Sequence, residues 1–432
     1  MTRPTLRSVS TATIALRGIL AAAARASARA AALAAALTAC GPRGDGDTVA
    51  MPGAVTLLET PAPVGSTTPS LVVTVDGTAL LSWTERRADS SYAVRVVARQ
   101  AAGWDSVRTI SEGRPYFANW ADFPAVTVLH NGAWAAHWLE REGTGKYAYG
   151  IRVVRSGDAG RSWSAPLTPH TDSLPAEHGF VSLWPDGPDG LGLAWLDGRK
   201  SAMPDSTREM TVRTAVVAPD GSLHAEAVLD ARSCDCCQVA SAATGNGRVV
   251  VYRDRSSEEI RDIVAVRRQG DGWSAPVPVH ADNWHIAGCP VNGPAIVARG
   301  DTVTVAWFTG ANDTARVLLA RSTDGGASFG TPVRVDDGDP LGRTALVLDA
   351  AGNAVVAWME RRSPETADIR VRRIVGARRS DARTVITSAT ARQSGFPRLA
   401  VVRDTLLVAW TAIAPAVQVQ MASIPLSTSP QK

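Results

Sequence analysis

Long apolar segments and blocks of one charge are missing from this 432-residue chain. The most apolar run, AAALAAALTAC at residues 30–40, is shorter than the roughly 20 residues that cross a bilayer as a helix, so no membrane-spanning helix is predicted. Lysine is nearly absent, and the small net charge of +4 includes a basic N-terminus. No further basic block is left to attract nucleic acid, and we predict no nucleic-acid partner.

Cysteine is also scarce, and the first of the five cysteines closes an export signal. A basic segment, then an apolar run ending in small residues, is the order found in signal peptides. LTAC, which ends at Cys40, resembles a bacterial lipobox and implies cleavage before Cys40 and lipid on its sulfur. The alternative is an ordinary signal peptide that ends near a cysteine. The arginines of the basic segment are Arg3, Arg7, Arg17, Arg25 and Arg29.

We therefore predict a signal peptide at 1–39, a flexible tether at 40–53 and a folded domain at 54–427. Gly41 follows the cysteine, and no aspartate is there to indicate retention in the inner membrane. The predicted location is the cell envelope, at the outer membrane or the cell surface. The lipid anchor is then the one expected contact with a membrane.

An internal repeat fills the predicted domain. Seven apolar strands each carry an aromatic residue before a polar turn, at spacings of 55, 57, 57, 55, 51 and 52 residues. Four short, valine-rich strands per unit, without a helical period, predict an all-β propeller of seven blades. The seventh unit lacks a fourth strand, and AVTLLET at 54–60 is predicted to supply it and close the ring. The aromatic residues are Trp83, Trp138, Trp195, Tyr252, Trp307, Trp358 and Trp410.

Two turns between third and fourth strands share a further motif. SGDAGRSW (156–163) and STDGGASF (322–329) resemble the Asp-box, in which an aspartate caps the amides of its own turn and glycine allows the tight geometry. The chain thus resembles the Asp-box, or BNR-repeat, propellers, the superfamily that holds the sialidases. Because sialidases have six blades, a six-bladed ring is the alternative. The resemblance implies structural roles for Asp158, Gly160, Trp163, Asp324, Gly326 and Phe329.

Long polar loops concentrate on one predicted face of the propeller. The links between blades and the loops between second and third strands share one end of this fold, and here they are long and polar. Part of this polarity repeats, since five units end the aromatic strand with a carboxylate and place an arginine within two residues. Such repetition predicts structural ion pairs. The pairs are Glu85–Arg86, Glu140–Arg141, Asp197–Arg199, Asp254–Arg255 and Glu360–Arg361.

Residues that break the repeat are the candidates for ligand binding. Amides, carboxylates and tryptophan faces suit a sugar, and arginines suit an anionic ligand. The alternatives are a core position for His137 and a solvated loop for the others. The first candidates are Asn119, Trp120, His137, His170, Asn283 and Trp284. The arginine candidates are Arg199, Arg253, Arg255, Arg261 and Arg343, with Arg370 and Arg398 near the same rim.

The sialidase resemblance also implies catalytic candidates. Sialidases use an aspartate as acid/base and a tyrosine, activated by a glutamate, as nucleophile. Asp122 fits the first role, and Glu177 with Tyr149 or Tyr147 fits the second. The chain lacks both the early F/Y-R-I-P motif and the late tyrosine of sialidases, since its last tyrosine is Tyr252. Two further catalytic candidates share the link that holds Glu177: Asp172 and His178.

Three cysteines crowd into ARSCDCCQVA, residues 231–240: Cys234, Cys236 and Cys237. Cys289 lies in the next link, and in an oxidising envelope we predict a disulfide between it and the cluster. The alternative is a thiolate site for copper or zinc that also uses His285, although the spacing matches no standard zinc motif.

Two functions from different classes follow. The first is a carbohydrate-active enzyme, a glycoside hydrolase or a relative, that acts on acidic glycans. The second is a propeller that binds glycans or proteins without catalysis, because one fold hosts many functions. We predict a monomer without a cofactor, whose partner is a carbohydrate or another small anionic ligand.

Overall fold

Valine-rich segments form short strands, because alternate side chains of a strand share one face and bury together. The computed structural model describes residues 49–51, 53–100, 103–203, 209–245 and 247–427. The predicted signal peptide and Cys40 lie outside these residues. Within the described residues, strands form seven antiparallel sheets, one for each repeat unit. The seven-bladed prediction is confirmed.

The blades follow one another along the chain. Blade one holds β2 (Ser66–Val73), β3 (Ala79–Arg86), β4 (Tyr92–Gln100), β5 (Gly103–Trp104) and β6 (Arg108–Glu112). Blade two holds β7 (Ala125–Val128), β8 (Trp134–Arg141) and β9 (Tyr149–Ser156). Blade three holds β10 (His178–Asp186), β11 (Gly190–Asp197), β12 (Met210–Val217) and β13 (Leu223–Ser233). Blade four holds β14 (Ala240–Thr244), β15 (Gly247–Arg253), β16 (Ile263–Gln269), β17 (Gly272–Trp273) and β18 (Val277–Pro278).

The remaining three blades complete the ring. Blade five holds β19 (Ala295–Arg299), β20 (Thr302–Thr309), β21 (Arg316–Ser322) and β22 (Val333–Arg334). Blade six holds β23 (Pro340–Leu348), β24 (Ala354–Arg361), β25 (Thr366–Val375), β26 (Arg378–Arg379) and β27 (Arg383–Ala389). Blade seven holds β28 (Arg398–Val402), β29 (Thr405–Ala412), β30 (Gln418–Pro425) and the N-terminal β1 (Thr56–Leu58).

Ring closure between the two ends of the domain is as predicted. Strand β1 runs antiparallel to β30, with Leu57 opposite Ala422 and Leu58 opposite Met421. The Thr60 hydroxyl also donates to the Val419 carbonyl at 3.0 Å. The N-terminal strand therefore covers the edge that blade seven would otherwise expose.

Blade two departs most from the regular pattern. Its fourth strand is reduced to one antiparallel bridge between Val153 and Leu167. Two backbone hydrogen bonds of 2.9 and 3.0 Å join these residues. The shortened strand leaves the long segment that follows free to form the site described below.

The aromatic residue of each repeat lies in the core between blades. In the second repeat, Trp138 packs among Leu80 and Val94 of blade one. Each of these aromatic side chains is at most 1% exposed, so the repeat marks inter-blade packing. The described helices are short: α1 (Arg199–Ala202) and two 3-10 turns (Ala311–Asp313, Arg392–Ser394). None of the helices in the described part of the chain is long and apolar enough to cross a membrane.

The two Asp-box-like turns have the predicted geometry. Oδ1 of Asp158 accepts from the Ser162 amide at 2.9 Å, and Oδ1 of Asp324 accepts from the Ser328 amide at 3.0 Å. Trp163 and Phe329 pack against the cores of their blades. These aspartates therefore stabilise turns, and we assign them no part in the site.

The repeated carboxylates are structural, but their partners differ from the prediction. The Trp138 indole donates to Glu140 at 2.8 Å, and Arg152, the cross-strand partner of Trp138, lies 3.2 Å from the same carboxylate. Strand register puts an arginine of the next strand in reach of the carboxylate, whereas Arg141, which follows Glu140 in sequence, ends its own strand. Of the predicted pairs, Asp197–Arg199 forms at 2.7 Å. Two of the other predicted arginines pair elsewhere: Arg255 with Glu259 and Arg361 with Asp339.

Candidate functional site

Two inter-blade links and the start of one strand bring three ionisable side chains together. Asp122 lies between blades one and two, Glu177 lies between blades two and three, and Tyr149 begins β9. The Tyr149 hydroxyl is 2.8 Å from Oε1 of Glu177 and 3.2 Å from Oδ2 of Asp122. A phenol has one proton, so it donates to one carboxylate and accepts from the other carboxyl when that group is protonated. We call these three residues the phenol-bridged cluster.

The neighbouring backbone fixes this cluster. Oδ1 of Asp122 accepts from the Phe180 amide at 2.8 Å, and Phe180 has a left-handed φ of 55°. A Cβ at Gly179 would collide with Oδ2 of Asp122, so this position needs glycine. The Phe117 ring stacks on Tyr149, with centroids 3.8 Å apart. The cluster is therefore held in one arrangement by two links that are distant in sequence.

Burial makes the cluster retain protons. Asp122 is 2% exposed, and loss of hydration, with the nearby charge of Glu177, raises its pKa to about 8. Burial, with the nearby charge of Asp235, raises the pKa of Glu177 to about 7. The pKa of Tyr149 lies well above its ordinary value, because the phenol is buried beside two carboxyl groups. Near neutral pH the cluster therefore has protons to give and to accept.

Asp122 lies where two cavities meet. One, of about 350 Å³, is the central channel, which the innermost strands of all seven blades line. The other, of about 330 Å³, lies beside blades one and two and is lined by aromatic and hydroxyl side chains. Its aromatic and hydroxyl lining includes Tyr92, Tyr116, Trp120, Thr68 and Thr84. A buried carboxyl group that borders two cavities can meet a ligand in either one.

Asp172 is the centre of a second cluster. Its Oδ2 is 3.1 Å from Nε2 of His178, 3.3 Å from Nδ1 of His170 and 3.0 Å from Nη2 of Arg199. His178 also lies 3.6 Å from Asp197. The structure thus divides the predicted catalytic set: Asp122, Tyr149 and Glu177 lie in one cluster, and Asp172 and His178 lie in another. The peptide bond between Glu177 and His178 joins the two.

The second cluster is a charge network. Burial opposes ionisation of Asp172, but His170, His178 and Arg199 outweigh it and hold its pKa well below the ordinary value. Burial also opposes protonation of His178, yet Asp172 and Asp197 raise its pKa. Neighbouring opposite charges therefore stabilise the ionised forms of Asp172 and His178.

A metal fits this network poorly, although donor atoms of Glu142, His170 and His178 lie close together. The two imidazole rings are parallel, with an interplanar angle of 1° and centroids 4.0 Å apart. An imidazole binds a metal through a lone pair in its ring plane, and two stacked parallel planes share no such point. The second donor set, Asp172 with His178 and Asp197, already pairs with Arg199.

Most predicted binding arginines contact other groups of the protein, and their assignment to a ligand stays a prediction. Arg253 is 1% exposed and donates to the carbonyls of Asn292, Arg261 and Phe308. Arg343 donates to backbone carbonyls near Gly395, and burial lowers its pKa to about 10. Four others are paired with carboxylates: Arg199 with Asp197 and Asp172, Arg255 and Arg261 with Glu259, and Arg370 with Glu360 and Asp337. Packed links need these donors because their buried carbonyls lack strand partners.

The predicted tryptophan faces are also largely occupied. Trp120 stacks on Phe396 with centroids 5.9 Å apart, and Arg343 lies 5.1 Å from its ring centre. Trp284 is 8% exposed and lies under Arg253 at 4.9 Å. Trp120 still borders the 330 Å³ cavity with Asn119, whose Oδ1 caps the Ala121 amide at 3.0 Å.

Two further candidates are placed away from the phenol-bridged cluster. His137 is fully buried in β8, and burial lowers its pKa to about 3, so it is a neutral core histidine. Asn283 is exposed, and its backbone amide donates to Oδ2 of Asp262 at 2.8 Å. The structure thus gives His137 the core position that was the alternative to ligand binding.

The cysteine cluster lies beside Cys289, and the disulfide between them stays a prediction. The sulfurs of Cys236 and Cys289 are in bonding contact, with Cα atoms 6.2 Å apart, and Cys234 and Cys237 lie 2.7 Å apart at sulfur. Burial opposes ionisation of Cys234, but Cys237 and the charges of Arg253 and Arg261 lower its pKa. His285 is exposed and, among the described residues, does not join the three clustered thiols. His285 is therefore not placed to complete the alternative copper or zinc site with these thiolates.

One residue at the site was missed from sequence. Gln238 directly follows the cysteine cluster and lines the central channel. Its amide donates to the Ala121 carbonyl at 2.7 Å and accepts from the Gly293 amide at 2.9 Å. Gln238 thereby ties three links together beside Asp122. A lone glutamine carries no signal of this role, since its partners are distant in sequence.

No family model matches the chain, and no curated protein matches it. The polysaccharide lyase Uly1 is similar in structure, with a TM-score of 0.51 and 10% identity over 90% of this chain and 94% of the lyase. A protein of unknown function from Dyadobacter fermentans has a TM-score of 0.48 and 15% identity over 86% of this chain and 98% of its own. A mutant NanB sialidase from Streptococcus pneumoniae has a TM-score of 0.42 and 9% identity over 89% of this chain and 71% of its own. At such identities the likeness shows the fold alone, and this chain has the fold of a seven-bladed β-propeller.

Proposed function

We propose that this chain is a carbohydrate-active enzyme that cleaves a glycosidic bond at the mouth of its central channel, with Asp122 as acid/base. The observation that carries the proposal is the phenol-bridged cluster. Asp122 borders two cavities, its pKa is raised to about 8, and a phenol connects it to a second carboxyl group. A carboxylic acid that stays protonated at neutral pH is what departure of a sugar oxygen requires.

The cluster also provides a route for protons. Asp122 gives its proton to the glycosidic oxygen as the bond between that oxygen and the anomeric carbon breaks, and a solvent water adds to that carbon and releases a proton to solvent. Glu177 is half-buried and therefore closer to water than Asp122. A proton on Glu177 passes to the phenol oxygen of Tyr149, while the phenol proton passes to Asp122. The acid is restored without opening the core.

Tyr149 acts in this proposal as a relay rather than as a nucleophile. Its side chain is fully buried, and Phe117 covers one ring face at 3.8 Å. The sialidase resemblance implies a phenolate that attacks the substrate, and such an attack needs open space at the phenol oxygen. Here both neighbours of that oxygen are carboxyl groups of the protein.

The second cluster positions the link that carries Glu177. Asp172 and Asp197 contact His178, the residue after Glu177, and the Gly198 amide donates to the Glu177 carbonyl at 2.7 Å. These contacts join the link to the end of β11. Loss of Asp172 would free the Glu177 side chain from Tyr149 without touching a ligand.

A glycan is the first ligand class to test, because the polysaccharide lyase Uly1 shares the fold. We further propose that the protein is an exported, monomeric lipoprotein of the Asp-box type, attached through Cys40 to the outer membrane or cell surface. Support comes from the LTAC segment and from the two aspartate-capped turns. Its substrate is an acidic glycan, and it needs no nucleic acid.

The test is turnover on a broad panel of neutral and acidic glycans by purified protein. Asp122→Asn keeps the size of the side chain and removes its proton chemistry, so turnover should fall about a hundredfold or more. The matched control is Glu85→Gln in a repeated ion pair, where Glu85 lies 3.2 Å from Arg95 and away from the cluster. Equal turnover by both variants would refute the role of Asp122.

A binding function without catalysis is the second candidate. The observation that favours it is the burial of Tyr149 and Asp122, which are 0% and 2% exposed. Glycan binding that persists in both variants, with no turnover on any panel member, would establish the binding function.

A further inference from the structure

The central channel contains an arginine with unsatisfied guanidinium donors. Arg398 lines the 350 Å³ cavity from β28, the innermost strand of blade seven. Its Nε and Nη2 atoms are buried and have no hydrogen-bond partner among the described residues. Burying a guanidinium without pairing it is costly, since water no longer solvates the charge. Most other arginines considered above pair with carboxylates or backbone carbonyls, so Arg398 departs from the pattern of this protein.

The protein offers Arg398 no counter-charge within the cavity. Among the residues that line it, Asp122 is the other ionisable one. Both oxygens of Asp122 are engaged, by the Phe180 amide and the Tyr149 hydroxyl. Its pKa of about 8 also leaves it largely uncharged at neutral pH. The cavity therefore has a net positive charge.

A hydroxyl group with no partner faces the same cavity. Thr344 lines the channel from β23 in blade six, the neighbour of blade seven in the ring. It is 7% exposed, and its Oγ1 has no hydrogen-bond partner in the part of the chain that the structure describes. By contrast, Ser182 and Ser241 in the same lining bond to each other at 3.0 Å. Two unsatisfied donors from adjacent blades, around one cavity, indicate an acceptor that both can reach.

The geometry of the unsatisfied guanidinium donors of Arg398 indicates which acceptor fits them. Nε and Nη2 lie on one edge of the guanidinium, and two parallel N–H bonds from such an edge match the two oxygens of a carboxylate. The Phe123 ring covers one face of the guanidinium at 3.8 Å and holds it in place. A spherical anion would use only part of this fork.

We propose that the central channel binds a carboxylate through Arg398 and Thr344. The carboxylate belongs either to a free small acid or to an acidic sugar, and both have the same chemistry. Arg398 and Thr344 share the channel with Asp122 but belong to blades seven and six, so carboxylate binding does not require that the protein cleaves a glycan.

The test is titration of purified protein with acetate, glucuronate and chloride at constant ionic strength, followed by calorimetry and thermal unfolding. The wild type should bind acetate or glucuronate saturably, with a rise in Tm of a few degrees. Arg398→Met should weaken binding about tenfold or more, since a charge-assisted pair is lost. Thr344→Val should weaken it a few-fold. Arg403→Met, an exposed arginine on the β28–β29 turn, should bind as the wild type does.

Absolute stability is a second measurement that does not depend on the identity of the ligand. Without added carboxylate, Arg398→Met should unfold at or above the wild-type temperature, because an unpaired buried charge has been removed. If Arg398→Met does not fold, carboxylate binding by Thr344→Val is measured instead.

Glucuronate that binds more tightly than acetate would identify an acidic sugar, and equal affinity would identify a small acid. The proposal is overturned if chloride shifts Tm as much as the carboxylates do, or if Arg398→Met binds as the wild type does. Asp122→Asn should keep carboxylate binding, which separates this site from the proposed catalysis.

Discussion

The hydroxyl of Tyr149 lies 2.8 Å from the Glu177 carboxylate, and the backbones of the same two residues form a parallel bridge. Because the backbone contact fixes the distance between the chains, the side-chain hydrogen bond does not depend on a flexible loop. Asp122 joins the same oxygen from a third segment. Because Asp122 and Glu177 are bridged by one phenol, the pKa of each acid depends on the other, and substitutions can test this coupling.

The pH dependence of turnover should move in opposite directions in two variants. The Tyr149 hydrogen bond lowers the pKa of Asp122, whereas the charge of Glu177 raises it. If Asp122 acts as an acid, Tyr149→Phe should shift the alkaline limb of the pH–rate profile to higher pH. Glu177→Gln should shift it to lower pH, and both should lower the maximal rate. Rates measured from pH 5 to 10 check this, and two shifts of the same sign would contradict it.

Stability should depend on pH through Asp122. Its folded pKa of about 8 lies above the unfolded value of 3.8, so the folded state binds the extra proton. The contribution is fully present below pH 3.8 and is lost as pH rises through about 8. Asp122→Asn should remove a slope of about 1.4 kcal/mol per pH unit between these limits. Denaturant unfolding of both proteins at pH 5 to 8 measures it, and parallel curves would show that Asp122 is not buried as an acid.

A disulfide between Cys236 and Cys289 should join two links. Mapping of peptides without reduction should find 234–237 joined to a peptide that contains Cys289. The two residues are 53 apart in sequence, and Cys289→Ala should lower the unfolding free energy by about 2–4 kcal/mol under oxidising conditions. With reductant present, the variant and the wild type should be equally stable. Four free thiols with one bound metal per chain would support the thiolate site instead.

Ring closure by β1 should be essential to stability. Deletion of residues 54–60 removes the pairing with β30 and the 2.8 Å bond from Trp104 to the Glu59 carbonyl. We expect Tm to fall by about 5 °C or more, or the protein to become insoluble, because an open sheet edge is exposed. Leu57→Ala is the control, since Leu57 is 62% exposed on the outer face of β1. Equal melting of the deletion and the wild type would show that the ring is stable without β1.

Lipid attachment should require Cys40. Cys40→Ser should release the protein from the membrane fraction of the producing cells, as measured by fractionation and blotting. Substitution of the nearby Thr38 by serine keeps the cysteine and should leave the membrane fraction unchanged. An unchanged distribution of the Cys40 variant would leave an ordinary signal peptide as the explanation.

The sequence by itself determined the architecture. Strand alternation and the aromatic residue of each unit are local patterns that recur every 51 to 57 residues, so the seven blades and the need for a closing strand could be read from them. The capped turns at Asp158 and Asp324 were equally predictable, because each aspartate bonds within its own turn. Asp122, Glu177 and Tyr149 were also candidates for one active site before the structure, through the sialidase resemblance.

Only the tertiary structure decided which polar residues are available for chemistry. Arg253 and Arg343 look like binding residues in sequence, but the folded links turn them inward to backbone carbonyls. Arg398 is an arginine at the same predicted rim, yet its side chain lines a cavity. Its Nε and Nη2 have no hydrogen-bond partner among the described residues. The difference depends on how distant links pack around each side chain, and those contacts have no local pattern in the sequence.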